Sequence, residues 1–213
     1  MTASLTIGAR DVLLVIDMQN DFMPGGALAV AEGDAIVPLV NRLATKFANV
    51  ALTQDWHPAG HSSFASSHPG AKPFETMTMP YGAQILWPDH CVQGSAGARL
   101  HDDLNIPHAL LILRKGVNRN VDSYSAFTEA DRITTTGLAA LLKARGVKRV
   151  FLCGLATDFC VGWSALDARA AGFETFVIED ACRAIDANGS LDAAWKAMQG
   201  ASVRRVMAAE VAG

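Results

Sequence analysis

The chain has 213 residues, half of them apolar and 18% charged, with a formal net charge of -3, which excludes a disordered chain and a basic face for nucleic acid. Its four cysteines (Cys91, Cys153, Cys160 and Cys182) lack metal-finger spacing, and two follow strand-like stretches, so a disulfide framework is excluded and a reducing compartment implied. Residues 1–10 carry no basic-then-apolar signal and no apolar run approaches the roughly 20 residues of a membrane span, so one soluble, cytoplasmic domain over 1–213 is expected, with a small-molecule ligand, no membrane or nucleic-acid partner, and a homo-oligomer left open.

In chain order, short β-branched apolar runs alternate with stretches of helical period. Residues 12–16 and 50–53 read as the first two strands, with a helix over 34–48 between them. A third run at 110–113 precedes a helix over 136–145 that Gly146 stops, and a fourth at 150–153 leads into a helix over 158–171 that Gly172 stops. Runs at 175–178 and 202–206 bracket a last helix over 190–198. Uniformly apolar strands joined by helices define an α/β fold, here a three-layer α/β/α arrangement around a six-stranded, mostly parallel, doubly wound sheet. Residues 61–108 show neither period and are too long for an ordinary connection. They read as the bulk of an irregular metal and substrate excursion at about 55–108.

Ligands in such sheets bind at the carboxyl ends of the strands. That rule selects Asp17 after the first strand, Asp55-Trp56-His57 after the second, Lys115 after the third and the turn Thr157-Asp158-Phe159-Cys160-Val161 after the fourth. Taken singly, Asp17 could cap a turn, Lys115 could be a solvated strand end, and Cys160 could be a small buried hydrophobe. Taken together they are a base, a cation that keeps the base ionised, and a nucleophile placed on the first turn of a helix, where backbone N–H groups and the helix dipole favour thiolate.

A second constellation is Asp55-x-His57-x-x-x-His61, with His90 further on. One carboxylate and three imidazoles suit a borderline divalent ion such as zinc, iron or manganese, although hydrogen-bonded histidines would account for the same spacing. Phe22 and Trp87 could be core aromatics or, from their loop positions, pocket walls.

The segments Asp17-Met18-Gln19-Asn20-Asp21-Phe22, Thr53-Gln54-Asp55-Trp56-His57-Pro58 with His61 and Ser63-Phe64, Trp87-Pro88-Asp89-His90-Cys91-Val92, Lys115-Gly116, Asp122-Ser123-Tyr124-Ser125 and Gly154-Leu155-Ala156-Thr157-Asp158-Phe159-Cys160-Val161 go further. Together they resemble the nicotinamidase/pyrazinamidase family of isochorismatase-like cysteine hydrolases over nearly the whole chain. The resemblance implies a catalytic triad of Asp17, Lys115 and Cys160, and one divalent metal (zinc, iron or manganese) held by Asp55, His57, His61 and His90. It also implies a pyridine ring sandwiched by Phe22 and Trp87 with Tyr124 beside it. A cis peptide near Leu155-Ala156 is implied as well, with the N–H groups of Ala156 and Cys160 forming an oxyanion hole. The expected reaction is hydrolysis of nicotinamide, and of pyrazinamide, through a thioester, as a step of NAD salvage. A related amidohydrolase acting on a non-aromatic amide or carbamoyl group is the alternative.

Overall fold

The computed structural model describes residues 4–213. The run Asp11-Val-Leu-Leu-Val-Ile16 has no polar face to turn to water, and it forms β1 (Asp11–Ile16), buried at every position. The same holds for β2 (Val50–Asp55). The remaining strands of the sheet are β3 (Leu111–Lys115), β4 (Arg149–Leu155), β5 (Glu174–Arg183) and β6 (Arg204–Val206). They lie in the order β3-β2-β1-β4-β5-β6, every neighbour parallel. This is the doubly wound order, in which the chain reverses its direction of winding between β1 and β4 and opens a crevice at their carboxyl ends.

Helices α1 (Val37–Ala44), α2 (Leu138–Ala144), α3 (Gly162–Ala170) and α4 (Ser190–Gly200) flank the sheet. On α1, Val37, Val40, Leu43 and Ala44 recur at helical spacing and are buried, and Pro38 occupies the first turn, where its missing N–H costs nothing. Across the sheet Phe151 stacks on Phe176 at 4.4 Å and meets Phe47 edge-on at 5.3 Å. Gly146 and Gly172 take the left-handed backbone expected of helix stops.

Three differences from the sequence reading have physical reasons. The helix expected over 158–171 starts as a π-helical turn, Thr157–Val161, whose Val161 N–H reaches back to Ala156 O at 3.1 Å before α3 begins. Gly162 permits this wide turn, since a Cβ there would stand 2.9 Å from Thr157 O. The excursion contains an antiparallel pair, Thr76–Met79 with Gly82–Ile85, whose strands are four residues each and bury only Gln84, so its signal is short and weak. Finally, β5 runs on to Arg183, past the β-branched stretch, with a register irregularity against β4 between Leu152 and Gly154. Among the described residues no helix is long and apolar enough to cross a membrane.

Candidate active site

Parallel register brings the strand ends together. Asp55 and Lys115 are register partners across β2 and β3, while Asp17 follows β1 and Cys160 follows β4, the two strands that flank the crevice. Lys115 is fully buried, and its ammonium has three N–H groups to place. They go to Asp55 Oδ1, to Ser123 O at 2.9 Å and to Cys160 Sγ at 3.3 Å. Asp17 Oδ2 lies 2.9 Å from the same nitrogen and receives its charge but no hydrogen. Asp17 Oδ1 accepts from Thr53 Oγ1 at 2.6 Å, and that hydroxyl in turn accepts from Asp17 N at 3.1 Å. One carboxylate oxygen is therefore tied down and the other is ion-paired with Lys115, and one oxygen each of Asp17 and Asp55 and the Cys160 sulfur all lie within 4.8 Å of one another.

The charges settle accordingly. Burial raises the Asp17 carboxyl above 3.8, and Lys115 only partly reverses this. Burial works in the same direction on Asp55, but Lys115 and His57 outweigh it and hold that carboxyl well below its ordinary range. Lys115 stays charged because Asp17 and Asp55 overcome the cost of burying it. At Cys160 two influences oppose each other: burial raises the thiol above its ordinary value, and Lys115 lowers it without fully offsetting this. Such a thiol needs a base beside it. Cys91, Cys153 and Cys182 are also buried and raised, Cys182 to about 12, and among the described residues only Cys160 takes a hydrogen bond from Lys115.

The four residues expected to hold a metal divide into two groups. Asp55, His57 and His90 present ligand atoms within 4.8 Å of one another, whereas His61 groups with His57 and Asp122. His57 Nδ1 meets Gly116 O at 2.9 Å and His90 Nδ1 meets Pro88 O at 2.8 Å. A carbonyl can only accept, so both Nδ1 atoms carry the proton and both Nε2 lone pairs are free. Those Nε2 atoms lie 3.6 and 3.8 Å from Asp55 Oδ2. Such separations are too long for hydrogen bonds but suit donors that each reach about 2.1 Å to one ion between them. The residues thus fit a divalent cation. His57 is raised in its absence, burial being outweighed by Asp55, and a cation would take the place of that proton. Gly116 makes the arrangement possible: it has φ +64°, and a Cβ would strike the His57 ring at 2.4 Å. His61 does not join the three. Its Nδ1 pairs with Ser63 Oγ at 2.7 Å, its Nε2 lies 3.0 Å from Asn118 O, and burial with the neighbouring His57 pushes its pKa down to about 4.

Cys160 of the first group and Asp55 and His90 of the second open on one narrow cleft. Its walls include Phe22, Trp87 and Tyr124, as anticipated, together with Ala156 and Cys160. Sequence reasoning missed Leu28, Asp122, Phe159 and Ile185. Phe159 sits edge-on to Trp87 at 4.9 Å and was signalled only by adjacency to Cys160, while Ile185 follows β5 and the strand-end rule applied once more would have found it. The Leu155–Ala156 peptide is cis, as the resemblance implied.

The isochorismatase domain family model matches residues 11–211, and the chain belongs to that family. Within it, the nicotinamidase of Acinetobacter baylyi is 57% identical over 194 residues, covering 91% of this chain and 91% of its own. The structure of the Acinetobacter baumanii nicotinamidase/pyrazinamidase is similar at a TM-score of 0.95 and 56% identity, over 95% of this chain and 98% of its own. The Pyrococcus horikoshii pyrazinamidase, solved in complex with zinc, is similar at a TM-score of 0.76 and 36% identity, over 93% and 99%.

Proposed function

We propose that this chain is a metal-dependent nicotinamidase, which hydrolyses nicotinamide to nicotinic acid and ammonia and accepts pyrazinamide. The observation that carries the reading is the grouping of Asp17, Lys115 and Cys160 at the strand ends, beside an aromatic cleft that Asp55 and His90 also line. The nicotinamidases at high identity support the same substrate.

Phe22, Trp87, Tyr124 and Phe159 clasp the ring and present the carboxamide carbon to Sγ. Asp17 takes the thiol proton, the thiolate attacks, and the N–H groups of Ala156 and Cys160 hold the oxyanion. Asp17 returns the proton to the departing nitrogen, so ammonia leaves and a thioester remains. It next takes a proton from water, which attacks the thioester; the acid is released, and the thiolate recovers its proton from Asp17. Lys115 stays charged throughout and stabilises whichever partner, carboxylate or thiolate, is ionised. Asp55, His57 and His90 would hold a divalent cation, which supplies a Lewis-acid contact for the ring nitrogen and so sets the orientation of the carboxamide.

The test is ammonia release from nicotinamide beside an aliphatic amide such as butyramide. Turnover of nicotinamide far above the aliphatic control supports the reading. Equal rates, or turnover of a carbamoyl substrate alone, would overturn it.

A further inference from the structure

The pair of strands Thr76–Met79 and Gly82–Ile85 buries one side chain, Gln84, and a buried amide is costly unless its hydrogen bonds are made. Its Nε2 faces Asp122 Oδ2 at 2.7 Å, Ile85 O at 2.7 Å and the Tyr124 hydroxyl oxygen at 3.0 Å, while its Oε1 accepts from the Tyr81 hydroxyl at 3.2 Å. The Asp122 carboxylate only accepts, which fixes the amide with its N–H end towards Tyr124. The Trp87 indole, a donor only, reaches the same Tyr124 oxygen at 3.0 Å. The two amide hydrogens serve Asp122 and Ile85 O, which only accept, so Gln84 Nε2, like the Trp87 indole nitrogen, borders the phenol oxygen as a group that cannot accept; the Tyr124 proton is turned away from both, and among the described residues nothing accepts it. Burial and the nearby Asp122 push ionisation of Tyr124 far up, so that proton remains in place.

We infer that Gln84 is a positioning residue for this site: with Trp87 it commits the Tyr124 hydroxyl to act as a donor, and the acceptor it awaits is an oxygen or nitrogen of the bound ring amide. The inference rests on the nicotinamidase reading. The strand pair then serves to carry one amide to Tyr124 at the wall of the cleft. Gln84 touches no reacting atom and acts through Tyr124.

The experiment is a double-mutant cycle on KM and kcat for nicotinamide, using Gln84→Met, Tyr124→Phe and the double variant. Each single change is expected to raise KM about tenfold with kcat within about threefold, and the double variant to match Tyr124→Phe within about twofold. Damage through the Asp122 contact does not depend on the Tyr124 hydroxyl, so it would show as a full Gln84→Met effect in the Tyr124→Phe background and would count against the inference. Multiplied effects, near a hundredfold in the double variant, would overturn the inference, as would a fall in kcat with KM unchanged. If Gln84→Met does not fold, Tyr124→Phe alone decides, because an unchanged KM would mean that the hydroxyl donates nothing. Lack of wild-type turnover would instead overturn the nicotinamidase reading and this inference with it.

Discussion

Thr53→Val is the most informative small change, because it keeps the shape of a fully buried side chain and removes one hydroxyl from the back of the catalytic carboxylate. That hydroxyl donates to Asp17 Oδ1 at 2.6 Å, and the bond favours the ionised carboxylate. A hydrogen bond to a charged group contributes about 1.5–3 kcal/mol, and 1.36 kcal/mol is one pH unit, so its loss should raise the Asp17 pKa by roughly one to two units. The sign follows from the proposed chemistry. Attack requires ionised Asp17, whose pKa in the wild type already lies above 3.8, so activity should fall as the pH drops through that raised value. On the alkaline side burial works against early ionisation of Cys160, so no fall from that thiol is expected near neutral pH. In Thr53→Val the acid limb of kcat/KM should move upward by roughly one to two units, with the plateau above it close to wild type. A full profile of kcat/KM against pH is the assay. An acid limb that does not move, or a plateau lowered equally at every pH, would refute the argument that Thr53 acts by stabilising the Asp17 charge.

Cys160→Ala should abolish turnover with a near-native melting temperature, whereas Cys91→Ala and Cys153→Ala should keep most activity; iodoacetamide should label Cys160 first, as peptide mapping would reveal. Lys115→Met leaves two buried carboxylates without their cation, so a loss of about 3–5 kcal/mol is expected, read as a melting temperature roughly 10–15 °C lower and activity near background. Elemental analysis should find close to one equivalent of zinc, iron or manganese, and prolonged chelation should remove both metal and activity, with restoration on re-addition. His57→Ala and His90→Ala should lose the metal while His61→Ala keeps it, because both His61 nitrogens are committed to the protein. Benzamide, which has the carboxamide but no ring nitrogen, should be a much poorer substrate than nicotinamide.

The strand ends were legible in the sequence because buried parallel strands are apolar throughout and stop where polar chemistry begins. Ile16 gives way to Asp17, and Leu113 is followed within two residues by Lys115. Other features leave weaker traces. An i→i−5 turn uses the same residues as a helix start, so the π-helical turn carrying Cys160 could not be distinguished from the first turn of α3. The strand Thr76–Met79 does alternate polar and apolar residues, but over only four positions, and its partner Gly82–Ile85 does not, so the pair is too short to stand out. The spacing Asp55-x-His57-x-x-x-His61 shows which imidazoles are near but not which nitrogens are already bonded, and that decides why His90 joins Asp55 and His57 while His61 does not. The preference of Cys160 for thiolate was inferred from the helix dipole alone, and the full burial that opposes it belongs to the packed site.

Acid quenching during steady turnover of nicotinamide, followed by mass spectrometry of the peptides, tests the central claim most directly, because the proposed route passes through one covalent species. The expected result is a nicotinoyl group on the peptide that contains Cys160, present in the wild type, absent from Cys160→Ala and lost on chasing with excess buffer. Turnover without any adduct on Cys160 under conditions that preserve thioesters, or an adduct on a different residue, would contradict the account.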